Sequence, residues 1–241
     1  MSIDLSWGSD KGLDASADAI STLMSGSSPY LETVRLLTRG DDTLELQGLS
    51  LSSAAPGIRR IHLNMINSGF NVKPLDWSCV TELVLDVPGV ALMASKTVIS
   101  ECTSLHILRL TMKNLAEEDA KPCYSDFSLF TWWLFLPALR RFKLCGAFML
   151  HPYLFDMIPR DGCKLEELVV DHYAPGPFEI EEENLRQFFE SLPHLRILDI
   201  DGVTDAFRAD IIKHLTFKPG RPCGDYLLSK LETMNIRGLG G

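Results

Sequence analysis

Neither a leader nor a membrane span is expected from this sequence. Its first ten residues, MSIDLSWGSD, hold no basic cluster and no apolar stretch of the kind that secretory signals carry. An intracellular protein, cytoplasmic or nuclear, is expected. The longest apolar run, residues 127–139 (FSLFTWWLFLPAL), is 13 residues long and is broken by Ser128, Thr131 and Pro137. Crossing a bilayer takes roughly 20 apolar residues, so no membrane partner is expected, and the run, with Trp132 and Trp133, is assigned to the core.

Positive charge is scarce as well. With 23 Lys and Arg against 32 Asp and Glu, the net charge is −9 and the pI about 5.1. Displacing the counterions of a nucleic acid needs a basic face, so no nucleic-acid partner is expected either. The six cysteines form no CxxC pair, and none of the six histidines stands at metal-ligand spacing. Reduced and mostly buried thiols are expected, and no metal. No GxSxG elbow and no HExxH pair occurs. Residues 89–97 (GVALMASKT) lack the second glycine of a phosphate loop and place their lysine one position late; they read as helix. Neither an enzyme nor a cofactor is expected.

What the sequence has is a repeat. The pattern apolar-x-x-apolar-x-apolar occurs eight times, as LETVRL from Leu31, IRRIHL from Ile58, VTELVL from Val80, LHILRL from Leu105, LRRFKL from Leu139, LEELVV from Leu165, LRILDI from Leu195 and LETMNI from Leu231. Successive starts lie 22 to 36 residues apart, overlapping the leucine-rich-repeat range with room for insertions. Within each copy the last two apolar positions alternate at period two, as in a half-buried strand. Helical periodicity fills stretches between copies, most clearly residues 90–102 and residues 183–192, where Leu185, Phe188, Phe189 and Leu192 share one face. The acidic run Glu179, Glu181, Glu182 and Glu183 suits the positive end of the second helix dipole.

Strand, crossover and returning strand imply parallel pairing. The expected fold is therefore α/β: a leucine-rich-repeat-like solenoid with a curved parallel sheet of about eight strands, and helices and irregular turns on the outer face. This domain should span residues 29–241. Residues 1–28 are expected as a poorly ordered segment in which Ile20, Leu23 and Met24 form a helix covering the first repeat.

At residues 54–63 (AAPGIRRIHL), 75–85 (LDWSCVTELVL), 100–110 (SECTSLHILRL) and 135–144 (FLPALRRFKL) the chain resembles the leucine-rich-repeat region of fungal F-box proteins. The resemblance runs from about residue 29 to the C-terminus. In that family the F-box, a small helical module, docks on the Skp adaptor of a cullin ubiquitin ligase, and the repeats hold the substrate. The resemblance thus implies a substrate-recognition role and a Skp–cullin partner. Ile3, Leu5, Trp7, Leu13, Ile20, Leu23 and Met24 are the sizeable apolar residues of the first 28, too few for three packed helices. The likeness is therefore to the repeats, with the F-box expected to be missing.

Positions three, five and seven of each copy should point away from the core. They place Arg60, His62, Arg109, Arg141, Lys143, Glu167, Asp171, Asp199 and Asp201 on one sheet face, the expected surface for a protein substrate or partner. Two readings of its charges stand side by side. In one, the basic strands four and five and the acidic strands six and seven form a dipolar surface that acts on a partner as a unit. In the other, Arg141 and Lys143 merely pair across the sheet with Glu167 and Asp171.

Overall fold

The computed structural model describes residues 2–8, 30–39, 44–45, 57–64, 70–71, 77–88, 92–113, 130, 132–146, 152–172, 182–203, 205–215 and 228–238. The strands are β1 Ser2–Gly8, β2 Thr33–Arg39, β3 Leu44–Glu45, β4 Arg60–Asn64, β5 Phe70–Asn71, β6 Glu82–Pro88, β7 Ile107–Lys113, β8 Arg141–Gly146, β9 Glu167–His172, β10 Ile197–Val203 and β11 Thr233–Gly238. The helices are α1 Leu92–Glu101, α2 Pro152–Asp161, α3 Glu182–Glu190 and α4 Asp205–Leu215, with one 3-10 turn at Trp77–Cys79.

Nine strands form a single sheet in the order β1-β2-β4-β6-β7-β8-β9-β10-β11, which is chain order, and every neighbouring pair is parallel. The short β3 and β5 pair apart from it. The molecule is thus α/β with one open parallel sheet. Each of the eight copies supplies one strand of that sheet, and the helices lie between strands from β6 onward.

The apolar pattern explains the register. The first apolar residue of the copies (Leu31, Ile58, Val80, Leu105, Leu139, Leu165, Leu195) is buried in every copy but the last, where Leu231 is half-buried. The middle residues align as Val34, Ile61, Leu83, Leu108, Phe142, Leu168 and Leu198, one beside the next across the sheet, and all are buried. A slip of one residue would turn such a row to water, so each hydrophobic set specifies its own pairing. Met234 ends the row and is 44% exposed, because β11 has a neighbour on one side only in the sheet. Onto these rows pack Val98 and Ile99 of α1, Met157 and Ile158 of α2, Leu185, Phe188 and Phe189 of α3, and Ile211 of α4, in one continuous core.

A backbone motif recurs at each strand entrance. The carbonyl of the second residue in one copy accepts two N–H groups of the next: Glu32 from Arg59 and Arg60, Arg59 from Thr81 and Glu82, Thr81 from His106 and Ile107, His106 from Arg140 and Arg141. The same happens at Arg140, Glu166 and Arg196. Three residues before most copies stands a further buried apolar side chain (Trp77, Cys102, Leu136, Leu192, Leu228), whose carbonyl accepts the N–H of the copy's first residue. The repeating unit therefore begins three residues earlier than the six-residue pattern suggests.

Several expectations change. Ser2–Gly8, expected within a poorly ordered segment, is a ninth strand, with Ile3, Leu5 and Asp4 in register with Val34, Leu36 and Arg35; its apolar residues alternate at period two, a signal too short to weigh alone. The helix expected around Ile20, Leu23 and Met24 lies outside the described residues. The run at 127–139 is only partly core. Phe130, Leu134, Leu136 and Leu139 are buried, whereas Trp132, Trp133 and Phe135 are 58%, 56% and 63% exposed. Of the four described cysteines all are free, Cys102 and Cys163 buried and Cys79 and Cys145 half-buried; Cys123 and Cys223 lie outside the described residues.

Candidate partner-binding face

The side of the sheet opposite the helices carries three rows of side chains. One runs Thr33, Arg60, Glu82, Ile107, Arg141, Glu167, Ile197, Thr233. The next runs Arg35, His62, Val84, Arg109, Lys143, Val169, Asp199, Asn235. The third includes Asn64, Asp86, Thr111, Cys145, Asp171 and Asp201. All of these are half-buried or exposed. Period two along each strand and unbroken parallel register together bring all nine candidate residues, Arg60, His62, Arg109, Arg141, Lys143, Glu167, Asp171, Asp199 and Asp201, onto this one face.

Most charges on it are paired with a neighbouring strand. Arg60 lies 3.5 Å from Glu82, His62 Nε2 lies 2.8 Å from Asp86, and Arg141 lies 3.6 Å from Glu167. Arg237 reaches both Asp199, at 3.0 Å, and Asp201, at 3.3 Å. The same habit continues at the strand entrances, where Arg140 faces Glu166 at 3.8 Å and Arg196 grips Glu232 through two bonds of 2.9 Å. Those bonds hold the Glu232 carboxyl below its ordinary range. Exposed pairs of this kind contribute little to stability.

Cross-strand pairing therefore accounts for Arg141 and Glu167, but not for Lys143. Neither Lys143 nor its register neighbour Arg109 makes an ion pair with a described residue. The acidic end is also less acidic than the strands alone imply, because Arg237 of β11 lies over it. Arg237, position seven of the last copy, follows Ile236, the register partner of Ile200, and so spans the two carboxylates; Gly202, at φ 76°, lies where the β10–β11 register then shifts.

Among the described residues of the face the cysteine, Cys145, is not an activated thiol. Burial pushes the Cys145 thiol above its usual value; Lys143 and Arg109 pull it down while Asp171 and Asp86 push it up. A raised thiol is a poor thiolate source at neutral pH. Cys102 and Cys163, pushed up by burial to about 12 and about 11, are packing residues. Among the described residues no group of three or more His, Cys, Asp or Glu is placed to hold a metal ion, and no helix is long and apolar enough to cross a membrane.

No model of a known protein family matches the chain, and a search of curated proteins finds no match. The functional reading rests on the face itself.

Proposed function

We propose that this chain is a leucine-rich-repeat-like solenoid that binds a protein partner on the open face of its parallel sheet. One observation carries the reading. Eight sequence copies are stacked in parallel register, shifted only after Ile200 between β10 and β11, so that three rows of polar, charged and small apolar side chains lie side by side on a face the described helices leave uncovered. Repeats of this type cannot bury a core alone, and stacking them yields an extended surface suited to a macromolecule rather than to a small ligand. The finer reading is that the chain is the substrate-recognition region of an F-box-like ubiquitin-ligase receptor; the four family-like stretches support it.

The test is affinity capture of the tagged chain from cytoplasmic and nuclear extracts of its own cell type at physiological salt, with mass spectrometry. A charge swap, Asp199→Lys, Asp201→Asn and Arg237→Glu, removes the net negative charge of the acidic end while keeping the 199–237 ion pair and an acceptor for the Gly202 N–H. A protein retained by the native chain and lost by the swap at an unchanged melting temperature is the expected result. Equal retention by both would remove this end of the face from the reading. Skp and cullin among the retained proteins would support the ligase role, whereas a specific partner without them would favour a free-standing binding module.

A further inference from the structure

Opposite-charge pairing is the habit of this sheet, and among the described residues one basic pair breaks it. Arg109 on β7 and Lys143 on β8 are register partners, directly beside one another on the open face. Like charges so placed on neighbouring strands are destabilising. A chain with 32 acidic residues against 23 basic ones has no shortage of carboxylates to set there. The other like-charged neighbours, Asp171 and Asp201, are relieved by Arg237 at 3.3 Å from Asp201. The nearest acids of the third row make no direct ion pair with the cations: Asp86 is engaged by His62 at 2.8 Å, and Asp171 makes no ion pair with a described residue.

The flanks of the pair are apolar. Along the same row Val84 adjoins Arg109 and Val169 adjoins Lys143, both half-buried. Neighbouring strands lie about 4.8 Å apart, so each valine is about 7 Å from the midpoint of the two cations. An extended peptide places residues i and i+2 on one face about 6.8 Å apart. The two spacings agree.

We infer that Arg109 and Lys143 form an anion-reading site for an extended peptide segment of the partner that crosses β6 to β9. The segment has the pattern apolar-x-acid-x-apolar, with its acidic side chain over the two cations and its apolar side chains on Val84 and Val169. This rests on the proposed protein-binding role of the face and names the chemistry it selects. The partner's anion relieves the repulsion between Arg109 and Lys143, so that binding and the local strain in charge are coupled. A carboxylate or a phosphorylated serine meets the same requirement.

The experiment displays peptides of the pattern Ser-Leu-Ser-Glu-Ser-Leu-Ser densely on a surface, so that a weak single-site contact still holds a measurable fraction, and measures retention of the full chain at low and physiological salt. Companion peptides carry glutamine or phosphoserine at the centre, or shift the acid by one residue. The glutamine peptide should retain the chain about tenfold less, as expected for loss of one charge-assisted contact of about 1.4 kcal/mol. The shifted peptide should do likewise, and phosphoserine should equal or exceed glutamate. The double variant Arg109→Gln, Lys143→Gln should lose the preference for the acid. Its melting temperature at low salt should stay level or rise by about 1–3 °C, since a repulsion has been removed.

Equal retention of glutamate and glutamine peptides, or retention of neither, would overturn the inference, as would a fall in the melting temperature of the double variant. Partner capture from extracts that survives beside such a result condemns this site alone; loss of all specific capture by the native chain condemns the binding role itself.

Discussion

Asp161 is a carboxylate taken almost wholly out of water at the C-terminal end of α2, where the helix dipole disfavours negative charge. It is tolerated because it is hydrogen-bonded: the Leu136 N–H donates to it at 2.8 Å and Arg160 Nε at 2.9 Å. Arg160 in turn donates to the carbonyls of Trp132 and Leu134. Two side chains thus hold residues 132–136, the segment that leads into β8 and so sets where Lys143 stands. Asp161→Ala would leave a buried N–H without its acceptor, at a cost of about 1–3 kcal/mol. The melting temperature should drop by several degrees, with Asp161→Asn milder because an acceptor remains; an unchanged melt in both would show that the turn is held by other means. Nothing in the sequence marks this pair, since Arg160 and Asp161 look like any surface neighbours until Leu136 is folded against them. The exposure of Trp132, Trp133 and Phe135 was hidden for the same reason. Alternate residues of one apolar run face opposite ways once that segment is pinned, and Lys96 then stacks on Trp133 with its Nζ 3.9 Å from the ring centroid.

At the scale of elements, strands were more legible than helices. A strand needs only alternation, and eight copies of the same alternation reinforce one another. Helix α3 follows from apolar spacing; α2 has apolar residues at i, i+3 and i+4 (Leu154, Met157, Ile158) but holds Pro159 in its last turn, which masks it in the sequence, and α4 leaves Ile212 exposed beside the buried Ile211. Both are stabilised chiefly by the sheet they cover, which sequence periodicity does not report. The end of β10 illustrates how one residue governs an element. Gly202 adopts φ 76°, its N–H is taken by Asp201 Oδ1 at 2.8 Å, and the other oxygen of Asp201 meets Arg237. A side chain in that left-handed conformation costs about 1–2 kcal/mol. Gly202→Ala should lower unfolding free energy by about that much in urea and weaken the Arg237 pairing. A midpoint equal to that of the native chain would show that the bulge relaxes without strain.

For the whole molecule, stability should be graded along the sheet, because each strand is held mainly by its immediate neighbours. Strands β6 to β9 have a strand on each side and fully buried middle residues, whereas β11 has one neighbour and an exposed Met234. Amide hydrogen exchange should be slowest in β6–β9 and faster in β11 by an order of magnitude or more; equal protection throughout would mean that the sheet unfolds as a single unit. The sequence by itself determined the parallel strands, their order, their register and which side chains share the open face. Those properties depend on period-two alternation and on similarly patterned copies that bury their apolar rows only when aligned, and both are local and repeated. The ninth strand, the three-residue lead into each repeat, the clasp of Asp161 and Arg160 on the turn before β8, and the partners of the charges were decided by the tertiary structure. Each of these depends on residues far apart in the chain meeting at a distance of a few ångströms. At that scale Arg237 pairs with both Asp199 and Asp201, while Arg109 and Lys143 stand side by side, neither in an ion pair with a described residue.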